Sequence, residues 1–478
     1  MNAADTPRAV AVAAVDLGAT SGRVIVGRVG ADTLEMTAVA RFPNGAVPLA
    51  SGLHWDLTGL HAHVMDGLRA ALREAPEIAS IGIDSWAVDY ALLHGERMLG
   101  EPFHYRDGRT EAGVDRLHER MPYDELFLRN GLQFLPFTTL YQLAAEDPAV
   151  LGIADHLLLI PDLLAFQLTG RRVTERTNAS TTGLLNATTG DWDDELIAAA
   201  GVDRSLLAPL ISPGEAIGTL RHDVASAIGA TTPVRVTSVG SHDTASAVVA
   251  VPMDPSAAAY ISCGTWGLVG VEVISPVLTT EAREAHFTNE GGVDGRIRLL
   301  HNVMGLWLLS ETVRGWEREG DVIDLPALLA EAAAVVEDVP VFDVDDPRFL
   351  PPGNMPARMA AWFGERGIAT PGNRATITRS IIESLAQAFA DTTRTAARLG
   401  GVDLQAIHLV GGGALNELLC QRTADRAGLP VFAGPVEATA LGNILIQGRA
   451  LGAISGDLQA LRDLVARTHP PRRYDPVP

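Results

Sequence analysis

Apolar and polar positions alternate in short blocks along this chain. Residues 10–15 and 24–29 are runs of small and β-branched side chains, and between them stands "DLGATSGR", Asp16 to Arg23. The apolar pattern resumes directly after Arg23, which predicts two paired strands joined by a turn, not a strand feeding a helix. "HAHVMDGLRAALREA" has helical spacing, and "IASIGIDSW" is the continuous apolar run of a buried strand. "PDLLAFQLTG" predicts a short helix stopped by Gly170. "TNASTTGLLNATTGDWDDELI" predicts a polar, turn-rich stretch that leads into a capped surface helix at "WDDELI". "VRVTSVGSHDTASAVVAV" reads as strand, tight turn and helix, closed by Pro252 and Pro255.

The second half repeats the theme. "AAYISCGTWGLVGVEV" is again a strand that breaks at a Gly-Thr turn and resumes as a strand, and "HLVGGGALNELLCQRTADRAG" is again strand, turn and helix. "HNVMGLWLLSETVRGW" places Met304, Trp307 and Leu308 near helical spacing, a core pattern. Strands alternating with helices predict an α/β protein. The two halves predict two similar domains, residues 9–252 and 256–455, followed by a tail, residues 456–478, whose basic end "RTHPPRRYDPVP" is expected to be disordered or lightly docked.

Composition narrows the possibilities. A chain of 478 residues that is 47% hydrophobic buries more than one core. Its 58 acidic against 37 basic residues leave a net charge of −21, which argues against nucleic acid or an anionic membrane as the partner. No apolar run reaches the ~18 residues that span a bilayer. Arg8 and the run behind it resemble the opening of a leader, but Asp16 and Gly18 end that run early. Cys263 and Cys420 stand far apart and outside any Cys/His cluster, which speaks against a disulfide framework and a zinc site. A cytoplasmic protein, monomeric or a small homo-oligomer, is expected.

Candidate chemistry lies in the turns. Backbone N–H groups in a Gly-rich turn form a concave anion site, and hydroxyls add donors. "DLGATSGR" offers the amides of Ala19 to Gly22, the hydroxyls of Thr20 and Ser21, and the Arg23 guanidinium. It lacks the Walker A spacing, and a strand follows it. Asp16 would repel a phosphate unless a cation lay between them, and Mg²⁺, which takes one or two carboxylates and keeps its waters, suits that place. The plainer reading is an ordinary hairpin with a solvated Asp. "GGG" at Gly411 to Gly413 lets a ligand approach the backbone closely, whereas a tight turn alone rarely needs three glycines. Asp243, at the start of a helix, is either an N-cap or a general base for a hydroxyl; His242 beside it is either a sugar contact or a packed polar residue.

Taken together and in order, "DLGATSGR", "IGIDSWAVDYALL", "PDLLAFQLTG", "TNASTTGLLN", "SHDTASAV", "SCGTWGLVG", "HNVMGLWLL" and "HLVGGGALN…GPVEATALGN" resemble the FGGY carbohydrate kinases, over nearly the whole chain. The narrower motifs "SHDTASAV" and "MGLWLL" resemble its branch that phosphorylates L-rhamnulose. The resemblance implies two ribonuclease-H-like domains of the actin-like ATPase kind around a central cleft, closing near Pro252 to Pro255 over ATP and a ketose. It implies Asp243 as catalytic base and His242 as a sugar contact. Ala19, Thr20, Ser21, Gly22 and Arg23 fall on a first phosphate loop and Thr265 on a second. Asn302 and Gly412 fall on ATP-binding positions, and Asp16 on an acid that holds Mg²⁺ through water. Ala87 stands where the family has a sugar-contacting Gly, and Ser310 where a longer Gln is usual. The expected activity is transfer of phosphate from ATP to O1 of L-rhamnulose. Rivals are a kinase for L-fuculose, xylulose, ribulose or a polyol, and a non-catalytic actin-like nucleotide switch.

Overall fold

A computed structural model describes residues 9–477 of the chain. Arg8, at the head of the leader-like run, lies outside the described residues. The described residues form two compact units: residues 9–250, 273–299 and 438–468 make the first, and residues 251–272, 300–437 and 469–477 the second.

In the first unit, Val10–Leu17 and Ser21–Gly30 pair antiparallel as the block pattern predicts, with Asp16 opposite Arg23. Thr33–Pro43 continues the antiparallel ribbon. On its other side Val10–Leu17 pairs parallel with Ser80–Ser85, which pairs parallel with Arg235–Thr237; Ala216–Thr219 closes that edge antiparallel. Ser80–Ser85 is buried along its whole length, which is why it reads as an unbroken apolar run. The helix Leu57–Glu74 is capped by Asp56 and buries Leu60, Val64, Leu68 and Ala71 at helical spacing against this sheet. The helix Ile160–Thr169 ends at Gly170, whose φ of 77° is the left-handed C-terminal geometry that favours glycine.

Between these strands a smaller core forms around Tyr90–His94 and His156–Leu159. "WDDELI" is capped, Asp193 accepting from the N–H groups of Glu195 and Leu196, but Leu196 and Ile197 are buried in this smaller core. One face of the expected surface helix is therefore interior. The polar stretch before it contains a helical turn, Arg176–Ala179, capped by the buried Glu175.

The second unit repeats the plan. Ala258–Cys263 pairs antiparallel with Trp266–Val273 and parallel with Ala406–Val410, which pairs parallel with Val431–Ala433. Ile297–Met304 lies beyond Trp266–Val273, and Arg472–Tyr474 closes the other edge antiparallel. Six strands follow the same order in the two sheets, the second sheet having Thr288–Gly291 as an additional edge strand, which supports the sequence inference of two similar α/β halves. Met304 and Leu308 are core residues, but Met304 ends a strand and the helix begins only at Trp307.

Two expectations change. Residues 438–455 fold with the first unit, because the helix Ala438–Ala450 packs on the strands Val10–Leu17 and Ser21–Gly30: a Cβ on Gly27 would meet Ile444 at 2.6 Å, and one on Gly448 would meet Val29 at 2.6 Å. The basic tail is neither loose nor lightly docked. Arg472–Tyr474 is a sheet strand and Tyr474 is buried in the second core, while Leu458–Thr468 is a helix. Among the described residues no helix is long and apolar enough to cross a membrane.

Candidate active site

The first hairpin positions its polar residues by ordinary ladder bonds. The Gly18 N–H donates to the Ser21 carbonyl at 2.9 Å, and Asn44, which the sequence reading did not single out, donates from its side chain to the Gly18 carbonyl at 2.8 Å. Gly22 is required by packing, since a Cβ there would sit 2.2 Å from the Phe42 ring. Thr20 and Ser21 are exposed and Ala19 is half-buried at the tip. The Arg23 guanidinium is ion-paired to the Asp16 carboxylate across the ladder.

Asp16 also faces Asp84 across the parallel pair of strands. Asp84 is fully buried: burial first, then the charges of Asp16 and Asp243, push its carboxyl well above the usual range. Its Oδ2 accepts from Asn443 Nδ2 at 2.6 Å, and Asn443 Oδ1 in turn accepts from Gln447 Nε2 at 2.7 Å. Its Oδ1 has no hydrogen-bond partner among the described residues. Asp84 was not among the expected site residues, although an acid interrupting the apolar run "IGIDSW" was the available signal. These carboxylates suit a hydrated Mg²⁺: the orphaned Oδ1 beside Asp16 is an oxygen donor set of the size this ion needs. No group of three or more His, Cys, Asp or Glu among the described residues forms a closed metal cage.

Asp243 is the first residue of the helix Asp243–Val249, with His242 at its N-cap. The segment before it runs beside the strand Ser80–Ser85, the Ser85 N–H donating to the Ser241 carbonyl at 2.9 Å. The buried Glu175 accepts from the N–H and hydroxyl of Ser241 at 3.0 and 2.9 Å, locking the turn from behind. Gly442 lets the helix Ala438–Ala450 reach the Asp243 helix: a Cβ there would lie 1.8 Å from the Ser246 carbonyl. The Asp243 side chain is 32% exposed, and its Oδ1 accepts from the Thr244 hydroxyl at 3.0 Å. His242 Nε2 lies 3.4 Å from that Oδ1. On its other side His242 Nδ1 meets Arg298 Nη2 at 3.0 Å, with Glu290 Oε2 at 3.3 Å; neither acid nor cation was expected here.

Ala87 lies in a tight turn, where the Asp89 N–H donates to the Ala87 carbonyl at 2.9 Å. The strain falls on its neighbour: Val88 has a φ of 67°, costly for a β-branched side chain. The Trp86 and Trp55 rings lie 4.1 Å apart in a tilted arrangement, and Asp89 Oδ2 accepts from both indoles, at 3.0 and 2.6 Å. Burial raises the Asp89 carboxyl to about 6 despite these bonds and one from Gln142. His104, stacked on Trp55, is pushed down to about 4, chiefly by burial.

In the second unit, Thr265 occupies the turn between Ala258–Cys263 and Trp266–Val273. The Gly264 and Thr265 carbonyls accept from the N–H groups of Leu306 and Trp307, tying that turn to a helix start. Asn302 is half-buried on the strand Ile297–Met304, and Ser310 is exposed one turn into the helix. The three glycines separate by role. Cβ atoms on Gly411 and Gly413 would meet the Cys263 carbonyl at 2.9 Å and the Cys263 sulfur at 2.5 Å, whereas one on Gly412 would meet nothing within 4 Å. Packing therefore accounts for two of the glycines, and Gly412 alone of the three offers open backbone. Cys263 and Cys420 are both free and buried, which pushes each thiol up to about 12.

Comparison with known proteins shows the family. Residues 11–250 match the N-terminal domain of the FGGY family of carbohydrate kinases, and residues 259–451 its C-terminal domain. A rhamnulokinase of Bacteroides thetaiotaomicron is 39% identical over 467 residues, 97% of this chain and 95% of that protein. A rhamnulokinase of Yersinia pestis bv. Antiqua (strain Angola) is 40% identical over 469 residues, 97% of this chain and 94% of that protein. Among solved structures, a ligand-bound xylulose kinase of Lactobacillus acidophilus has a TM-score of 0.78 at 17% identity, over 98% of this chain and 94% of that one. A Plasmodium falciparum glycerol kinase with ADP has 0.77 at 14% identity, over 99% and 95%, so the fold is that of the sugar kinases. With both family domains matched in order and full-length relatives near 40% identity, this chain belongs to the FGGY family of carbohydrate kinases.

Proposed function

We propose that the protein transfers the γ-phosphoryl group of ATP to the O1 hydroxyl of L-rhamnulose, giving L-rhamnulose 1-phosphate and ADP, in the cytoplasm. The observation that carries the chemistry is the contrast among three carboxylates that feel one another's charge. Asp16 and Asp84 are 5% and 0% exposed, whereas the Asp243 side chain is 32% exposed, so Asp243 alone of the three is open to a substrate hydroxyl. Asp243 orients the hydroxyl and accepts its proton as O1 bonds to the γ-phosphorus and the bond to the bridging oxygen of ADP breaks. His242, beside it, contacts the sugar, and the turn at Ala87 forms another part of the sugar site.

Ala19, Thr20, Ser21, Gly22 and Arg23 hold phosphate oxygens in the first unit, and Thr265 does so in the second. The exposure of Thr20 and Ser21 supports that role. Gly412 gives the nucleotide an open backbone surface, and Asn302 a side-chain contact. Asp16, with Asp84 behind it, would hold Mg²⁺ through water; the ion, when bound, neutralises phosphate charge. Arg23 is the counter-ion of Asp16, and its guanidinium would be available to phosphate where a cation took over that carboxylate. Positioning and electrostatic stabilisation supply most of the rate. The choice of sugar is supported by the names of the full-length relatives.

The test is ADP release by the purified protein with MgATP against L-rhamnulose, L-fuculose, D-xylulose, L-ribulose and glycerol. The highest kcat/KM is expected for L-rhamnulose. Preference for another sugar would keep the chemistry and move the substrate to that sugar. ATP binding without turnover on any sugar would sink the kinase reading in favour of a nucleotide switch.

A further inference from the structure

We propose that Arg298, assisted by Glu290, fixes the tautomer of His242 so that its proton sits on Nε2, the nitrogen facing Asp243. This deepens the kinase reading and rests on it for the identity of the sugar site. All four residues belong to the first unit, which takes in residues 297–299 at the start of the strand Ile297–Met304. Arg298 is fully buried on the strand Ile297–Met304, and its Nε donates to the Gly291 carbonyl at 3.0 Å. Its Nη2 lies 3.0 Å from His242 Nδ1 and 3.1 Å from Glu290 Oε2.

A guanidinium only donates. Nδ1 of His242, in hydrogen-bond contact with Nη2, must therefore accept, and an imidazole that accepts at Nδ1 carries its proton at Nε2. The competing arrangement would place Nδ1–H toward Glu290 Oε2, but that oxygen is 3.3 Å away and the proton would point into the donor face of Arg298. Glu290 serves instead as the counter-ion that keeps a buried guanidinium in place. Burial works to raise its carboxyl, and the Arg298 charge is the largest influence against that, leaving Glu290 below the usual range and ionised.

The consequence lies at Nε2, 3.4 Å from Asp243 Oδ1. With the proton there, His242 presents a donor where a sugar oxygen and the Asp243 carboxylate both accept. With the other tautomer, a lone pair would face a carboxylate and a hydroxyl oxygen would lose its donor. Arg298 is thus a positioning residue, acting on the sugar site through the imidazole.

The experiment reads the tautomer directly, by long-range ¹H–¹⁵N correlation on the whole protein labelled with ¹⁵N-histidine and assigned with His242→Gln. The wild type is expected to show the Nε2–H form. Arg298→Lys and Glu290→Gln, which both keep a donor toward Nδ1, are expected to retain it. Arg298→Met leaves Glu290 facing Nδ1 and is expected to lose it, with KM for the ketose up about tenfold or more and nucleotide affinity unchanged. An Nδ1–H signal in the wild type, or an unchanged Nε2–H signal in a folded Arg298→Met, overturns the proposal. If Arg298→Met fails to fold, the wild-type spectrum and Arg298→Lys decide it. The spectra do not depend on which sugar is phosphorylated, so failure of the substrate panel and failure of this proposal are separate results.

Discussion

Asp243 and Asp89 are both carboxylates of the first unit, yet their surroundings differ: one side chain is partly exposed and the other is buried. Asp243 sits at a helix start with part of its side chain in solvent, where it can exchange a proton with a bound hydroxyl. Asp243→Asn keeps the shape and removes the proposed base, so kcat is expected to fall about 10²–10⁴-fold while nucleotide binding, measured by calorimetric titration, persists. Near-normal turnover would take Asp243 out of the role. Asp89 is buried and structural, an acceptor shared by Trp55, Trp86, Gln142 and the Tyr105 N–H. Its folded value of about 6 lies above the ordinary 3.8, so between those pH values the folded state holds a proton that the unfolded state has lost. Its contribution to stability is therefore fully present below pH 4 and is lost as pH rises through 6. Asp89→Asn has no such proton. The stability of wild type relative to this variant is expected to decline by up to roughly 3 kcal/mol between pH 4 and pH 7. Unfolding both proteins in urea across that range measures it, and a flat difference would contradict the assignment.

One helix, Ala438–Ala450, joins several parts of the first unit. Gly442 brings it against the Asp243 helix, Asn443 bonds to Asp84, and Gln447 Nε2 donates to the Ala13 carbonyl at 3.0 Å. Gly82 belongs to the same contact, since a Cβ there would meet the Asn443 oxygen at 2.4 Å. "IGID" and "ALGN" are thus two sides of one packed joint. Gly442→Ala would drive a methyl into the Ser246 carbonyl, which cannot swing away as a side-chain end can. A loss of about 2 kcal/mol or more is expected, with kcat reduced because the Asp243 helix must shift. Gly315→Ala is the control: it lies inside the helix Trp307–Arg318 with nothing within 4 Å of the added carbon. It should be neutral or stabilising by up to about 1 kcal/mol. Thermal unfolding of both variants distinguishes close packing from the general helix preference for alanine.

At the scale of the molecule, six strands follow the same order in the two large sheets. Arg472–Tyr474 completes the second sheet, covering the edge of Val431–Ala433 and burying Tyr474 in the core. Removing everything after Thr468 uncovers that edge and the face beneath it. The unfolding midpoint of the second unit is expected to drop by roughly 5 °C, with Tyr474→Ala producing a large share of the change in differential scanning calorimetry. An unchanged thermogram would return the segment to the status of a loose tail.

The sequence by itself determined the two hairpins, the strand-turn-helix around Asp243 and the α/β class. Those features are written in local alternation, in glycines and prolines, and in polar residues that break apolar runs, all within a dozen neighbouring positions. It also carried the ordered motifs by which the family could be named. Tertiary structure alone decided which groups those motifs meet. Asn443 and Asp84 are 359 residues apart, and Arg298 and His242 are 56 apart. Nothing local marks Gly412 as the open glycine and its two neighbours as packing against Cys263. Nor does a short basic stretch with two prolines announce an edge strand; it becomes one because Val431–Ala433 leaves backbone donors and acceptors to fill. Burial and hydrogen-bond partnership are set by chain segments arriving from far away, and a single sequence carries no record of which segments arrive.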